Sequence, residues 1–290
     1  MRIVYHLGLH CTDEERLLRC LQQNVDMLAD AGIAVPAPAL YRTLLRDTAV
    51  TLKGAKTSPE AQSMVIAQIL EGEPAERVIL SWDNFLAYPQ WVLRGALYPA
   101  AGERLRALAD IFPDHTAEAH LAIRNPVTYL PALLQKQRGR SSAEFMEGSD
   151  PAALRWSDTI RAMREAAPDV ALTVWCDEDT PLIWPEVLAA VSGHPQADEF
   201  EGADELLAQI MSPTGTKRMQ AFLAEHPADG PARRRRVVSA FLEKFGLPER
   251  LEFEFEMPGW TPDLIDAMTR AYDEDVARIR AMPGVTFLAS

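Results

Sequence analysis

The residues able to do chemistry in this chain stand at the ends of short apolar runs. His6, Gly8, His10, Cys11 and Thr12 lie in or just after the run at 3–9. Ser81, Asp83 and Asn84 close the run at 78–82, and Arg124-Asn125-Pro126 closes the run at 119–123. A carboxylate at a strand end suits a general base that takes a proton from an acceptor hydroxyl. Asp83, with His10, is therefore the candidate catalytic pair; the alternative is an Asx turn at Asp83 that caps the next segment. The fork of Arg124 either holds a phosphate or carboxylate, or pairs with Asp83 or with the Asp13–Glu15 cluster. His6, His10, Cys11 and Asp83 are metal-ligand types, but their spacing matches no metal motif, so no metal is expected. A thiol near a helix start is a candidate for activation, although the carboxylates beside Cys11 oppose it.

A strand leading through a tight loop to a helix N-terminus is the build that cradles phosphate. Here the loop carries the wrong charges. Its helix reads Thr12-Asp13-Glu14-Glu15, with neither a lysine nor a second glycine. Thr12-x-x-Glu15 has the form of a capping box, which would satisfy the helix amides with the chain's own side chains. The helix dipole favours such carboxylates. A carboxylate about 6 Å from a phosphate charge would cost roughly 3 kcal/mol at an effective dielectric near 20.

These positions need a scaffold, and the hydrophobic pattern supplies one. Apolar runs at 3–9, 78–82, 119–123 and 170–176 have the length of buried strands. Between them lie helical patterns. Leu17, Leu21, Val25 and Leu28 form one stripe, and Gly32 sits at its left-handed stop. Ser58-Pro59 opens a helix to about Leu70. Further helices are expected at 103–111, 127–136, 154–166 and 185–191, and a weak one at 41–50. Residues 138–150 read as a polar loop, and Glu178 and Asp179 as caps for the segment that follows. After His194 the pattern predicts helices at 203–211, 216–225, 231–245 and 262–281. Alternation over 251–256 predicts a half-exposed strand, and 285–288 a last short one. Arg233 to Arg236 reads as a solvated or salt-bridged helix face, with anion or partner binding as the alternative. Trp82, Trp91, Trp156, Trp175 and Trp184 read as core and pocket wall. The expected fold is three-layer α/β/α with a mostly parallel central sheet, whose strand ends converge on one ligand-binding edge. It spans residues 1–290 as a single domain, mainly helical over 195–290.

Composition limits the partners. A formal charge of -13 over 290 residues opposes general binding to nucleic acid or to anionic membrane. Three cysteines, Cys11, Cys20 and Cys176, fit no disulfide framework, and no apolar run reaches membrane-spanning length. These features predict a cytoplasmic protein with its mature N-terminus at Met1.

In order and spacing, the segments HLGLHCT (6–12), ILSWDNF (79–85) and LAIRNP (121–126) resemble the sulfotransferase family. The first resembles its 5′-phosphosulfate loop, in the bacterial form H-x-G-x-x-K-T-G-T-T. The second resembles the strand that carries a catalytic carboxylate in several branches, and the third the turn that holds the donor's 3′-phosphate. The C-terminal helix and PGVTFL at 283–288 are also similar. The resemblance implies a P-loop sulfotransferase fold and the donor 3′-phosphoadenosine-5′-phosphosulfate, with Gly8, Cys11, Thr12, Arg124 and Ala132 at the donor-binding positions. It also implies a small-molecule or saccharide ligand. Cys11, however, replaces the family's lysine and Asp13 its glycine; Glu14 and Glu15 replace two hydroxyls. Ala132 stands where the family has the second 3′-phosphate ligand, a serine. Losing the lysine removes about 1.5–3 kcal/mol of charge-assisted binding. The expectation is a sulfotransferase-like protein with a degenerate donor site, non-catalytic or of altered specificity. The alternative is an active sulfotransferase that moves a sulfuryl group to a hydroxyl or amine.

Overall fold

A computed structural model describes residues 1–137, 139–226, 230–251 and 257–290. Six strands, β1 (Arg2–His6), β2 (Ile33–Ala34), β3 (Arg77–Ser81), β4 (Thr116–Ile123), β5 (Ala171–Cys176) and β6 (Val285–Leu288), form one sheet in the order β2-β3-β1-β4-β5-β6. Every pairing is parallel, and His6 lies beside Ser81 on one side and His120 on the other. Helices of eight residues or more are α1 (Arg16–Gln23), α2 (Pro38–Leu52), α3 (Pro59–Leu70), α4 (Ala101–Ala109), α5 (Pro126–Lys136), α6 (Trp156–Ala166), α7 (Thr180–Ser192), α8 (Pro213–Glu225), α9 (Pro231–Phe245) and α10 (Pro262–Arg280).

The strands are apolar on both sides because helices cover both. Ile3, Tyr5, Val78, Leu80, Leu121 and Ile123 enter one core with residues of α2 to α6 and α10. Val4, Ile79, Ala122 and Trp175 enter the other with α1 and α7. This is the three-layer α/β/α arrangement. A smaller cluster of Leu207, Met211, Met219 and Val238 joins α8 to α9. No described helix is long and apolar enough to cross a membrane.

Local chemistry sets many of the boundaries. Gly32 takes φ +71° after the second short helix, Val25–Asp30. Ser58 caps α3 by accepting from the Ala61 N–H at 3.3 Å, with Pro59 in its first turn. Thr261 caps α10 in the same way. Three expectations are corrected. The first helix begins at Arg16, not Thr12, because the preceding residues form an irregular turn. The helix expected at 185–191 begins at Thr180, with Pro181 in its first turn. Pro185 removes one N–H without ending this helix, whose Ile183, Trp184, Val187 and Leu188 are buried against the sheet. Within 138–150, Ser141 and Glu144 make a reciprocal capping box that starts a short helix, Ser142–Met146. Leu251 ends the helix Pro248–Leu251, and the rest of the strand expected at 251–256 lies outside the described residues.

Candidate functional site

The loops after β1, β3, β4 and β5 open at the same carboxyl edge of the sheet. After β1 the chain winds toward one face, and after β4 toward the other. A parallel sheet leaves its crevice at such a reversal. Leu7 extends the ladder by donating its N–H to the His120 carbonyl at 2.9 Å. Gly8 then turns at φ +46°, where a Cβ would lie 3.5 Å from the His6 ring and 3.6 Å from the Asp83 nitrogen. This close approach brings the β1 loop against the end of β3.

His10 and Asp83 do meet. His10 Nδ1 is 3.2 Å from Asp83 Oδ2, and its Nε2 is 2.9 Å from the Ala87 carbonyl. The ring is 1% exposed, and the other Asp83 oxygen accepts from Asn84 Nδ2 at 2.7 Å. Burial alone would raise the Asp83 pKa, but the hydrogen bond and charge of His10, with Lys136 and Arg42, hold it below the ordinary value. A carboxylate so held is a weak base. The pair's visible work is to pin the β1 loop to the loop after β3. His6 belongs to the fold as well, since its Nδ1 lies 2.8 Å from Ser81 Oγ and its ring stacks on Trp175. Among the described residues, no group of three or more His, Cys, Asp and Glu is placed to hold a metal ion.

The loop after β1 folds back on the chain itself. Cys11, Glu14 and Glu15 are all left-handed, at φ 63°, 50° and 63°. The capping box expected at Thr12 and Glu15 does not form, because these turns place Glu15 just ahead of α1 with its carboxylate directed away. Glu15 pairs with Arg42 at 2.6 Å, and the Arg42 fork also donates to the Ser81 carbonyl. Thr12 Oγ1 donates to the Leu9 carbonyl at 2.6 Å. The cap comes from Asp13, which accepts from the Leu17 N–H at 2.9 Å. Glu14 pairs with Lys136 at 3.3 Å. Burial pushes the Cys11 thiol up to about 11, against the opposing charges of Lys136 and Arg124. It is therefore a protonated thiol at neutral pH and no activated nucleophile.

Arg124 clamps this loop. Its Nη1 donates to the Cys11 carbonyl at 2.6 Å and its Nε to Thr128 Oγ1 at 2.9 Å, while Asp177 lies 4.0 Å away. Trp156 fixes the Arg124 backbone by donating to its carbonyl at 2.8 Å. The hydroxyl beside Arg124 thus comes from Thr128, one turn before Ala132, whose methyl packs on the core. An i, i+4 spacing from Arg124 was the available signal. Glu178 does not cap α7. It accepts from the Asn125 N–H at 2.7 Å and from the Tyr272 hydroxyl at 3.0 Å. Asp179 precedes α7 but makes no side-chain cap. In the basic run, Arg234 pairs with Asp204 and Arg235 with Glu186, as a salt-bridged face does.

Two spaces remain at this edge. The first, about 20 Å³, is bounded by Gly8, His10, Asp83, Arg42 and Lys136, and has room for about one water. The second, about 840 Å³, is lined by Thr12, Arg16, Arg124, Thr128, Asp177 and Thr180 among others. Burial carries the Asp177 carboxyl up to about 7; Arg124 and Arg16 pull it down, and Glu178 and Asp13 push it up. Asp177 and Arg16 escaped the sequence reading because their meeting depends on β5 lying beside β4. Carboxylates paired with Arg42 and Lys136 stand beside the smaller space, while Cys11, Thr12, Glu14, Arg124 and Ala132 line the larger one.

No protein-family model, no curated protein and no solved structure matches this chain.

Proposed function

We infer that this chain is a sulfotransferase-like protein whose phosphosulfate loop has become a structural turn. In this reading it binds a ligand other than the usual donor in the larger cavity at the carboxyl edge. The parallel sheet, and the position of the three resembling segments at one edge of it, support the likeness. The observation that carries the altered function is the self-closure of the loop. Arg124 clamps the Cys11 carbonyl, Asp13 caps α1, and Glu14 and Glu15 occupy the nearby cations. An incoming anion would have to break these contacts and displace like charge. Calorimetry with 3′-phosphoadenosine-5′-phosphate, the desulfated donor, tests the reading. The expected Kd is no better than about 1 mM, equivalent to roughly -4 kcal/mol. Micromolar binding at about 0.15 M salt would overturn it and favour an active sulfotransferase with Asp83 as base.

A further inference from the structure

The larger cavity is lined by Cys11, Thr12 and Glu14 of the β1 loop and adds groups from other segments. Its volume, about 840 Å³, is in the range of sites for small organic ligands. Arg16, from the first turn of α1, lines it and makes no side-chain hydrogen bond or ion pair among the described residues. The Thr180 hydroxyl is a second unsatisfied group: Thr180 is 4% exposed and lines the cavity, and its Oγ1 has no partner. Native folds rarely strand a buried hydroxyl.

The charges lining this space set the ligand's charge. Arg16, Arg124, Lys136 and Arg250 face Glu14, Asp177 and Glu178. Glu14 answers Lys136 at 3.3 Å, and Glu178 is engaged by Asn125 and Tyr272. Arg124 has Asp177 at 4.0 Å. Among the described lining residues, Arg16 and Arg250 have no carboxylate within ion-pair distance, so the space favours an anion on a chain whose formal charge is -13. Glu178 opposes a second negative charge on the ligand. Pro181, Leu206 and Ile210 add apolar lining.

We propose that this cavity binds a monocarboxylate with an apolar body, its carboxylate on Arg16 near the start of α7 and its body against Leu206 and Ile210. The assignment rests on the altered-ligand reading above and names the ligand class for it. Planar carboxylate recognition suits an arginine fork. Asp177 then makes the site pH-sensitive. It is faced by Arg124 from the end of β4, Arg16 from α1, Cys11 and Asp13 from the β1 loop, and Glu178 from its own segment. Protonated, it does not repel a carboxylate; ionised, it does. Affinity should fall as pH rises through about 7.

The test is a titration with octanoate, with octanamide as its neutral counterpart, both below any micelle-forming concentration. A simple carboxylate stays ionised from about pH 6 to about pH 8, so any pH dependence reports the protein. Octanoate is expected to bind at least about tenfold tighter than octanamide at about pH 6, a difference of about 1.4 kcal/mol. Arg16→Gln should lose that advantage, and Arg16→Lys should keep part of it. Wild-type affinity should drop several-fold toward about pH 8, and Asp177→Asn should abolish the drop. Equal binding of the two probes, or no effect of Arg16→Gln in a folded variant, would overturn the proposal; so would a pH-independent wild-type affinity. If octanoate fails to bind while the desulfated donor also fails, only the carboxylate assignment falls. Micromolar donor binding would instead remove the reading beneath it.

Discussion

Replacing Asp177 with Asn removes a carboxyl whose ionisation the fold opposes. Its side chain is 18% exposed, and burial carries its pKa from 3.8 to about 7 although Arg124 and Arg16 are near. The folded chain therefore keeps a proton that the unfolded chain releases above about pH 4. Stability present below that point is lost as pH rises, and the loss is complete once pH passes about 7. Each pH step of one in this window corresponds to about 1.4 kcal/mol. The full loss is thus about 4 kcal/mol, of which about 2–3 kcal/mol falls between about pH 5 and about pH 8. Asparagine is nearly isosteric and does not titrate. The stability of Asp177→Asn relative to wild type should therefore shift in the variant's favour by about 2–3 kcal/mol between those two pH values. Urea unfolding followed by far-ultraviolet circular dichroism, at matched ionic strength, measures the difference. A pH-independent difference would refute the reasoning. So would a variant less stable than wild type at the higher pH, since Asp177 would then act as a net-favourable ion partner of Arg124.

Other outcomes follow from single contacts. A Cβ at Gly102 would lie 2.5 Å from the Ala162 carbonyl oxygen, so Gly102→Ala should force α4 from α6 and cost about 1–3 kcal/mol in chemical denaturation. An unchanged midpoint would mean that the helices separate freely. Asp83→Ala strands the buried His10 Nδ1 and should cost about 1–3 kcal/mol. Because the fold holds the Asp83 pKa down, the contribution of its charge is present at neutral pH and lost as pH falls through the folded value. The stability gap between wild type and Asp83→Asn should accordingly narrow on acidification below about pH 4. In the loop, Cys11→Lys with Glu14→Gly and Glu15→Asn adds a cation and frees Lys136 and Arg42. It retains the Asp13 cap and places tolerant residues at the two left-handed glutamate positions. Affinity for the desulfated donor should rise at least tenfold, about 1.4 kcal/mol. If the folded variant binds no better than wild type, the loop is not a latent anion cradle.

Much of the scaffold is written locally. Runs such as Val78-Ile79-Leu80 and Leu121-Ala122-Ile123 are apolar throughout because their strands are covered on both faces, and this shows without any tertiary knowledge. Ser58-Pro59 and Gly32 act on their own neighbouring backbone, so each appears in the structure as read. Gly8, His10, Asp83 and Arg124 were legible as strand-end residues, and the sheet gathers them at one edge. Their partners were not legible. Thr12-x-x-Glu15 has the capping-box spacing, yet Arg42, 27 positions beyond Glu15, draws the carboxylate away. Lys136 meets Glu14, and Asp177 approaches Arg124, only because β1, β4 and β5 lie side by side. Sequence fixes an element when the deciding forces act within a few residues of it. The chemistry of this edge was decided by burial and by charges brought together from distant segments, and only the folded chain sets those distances.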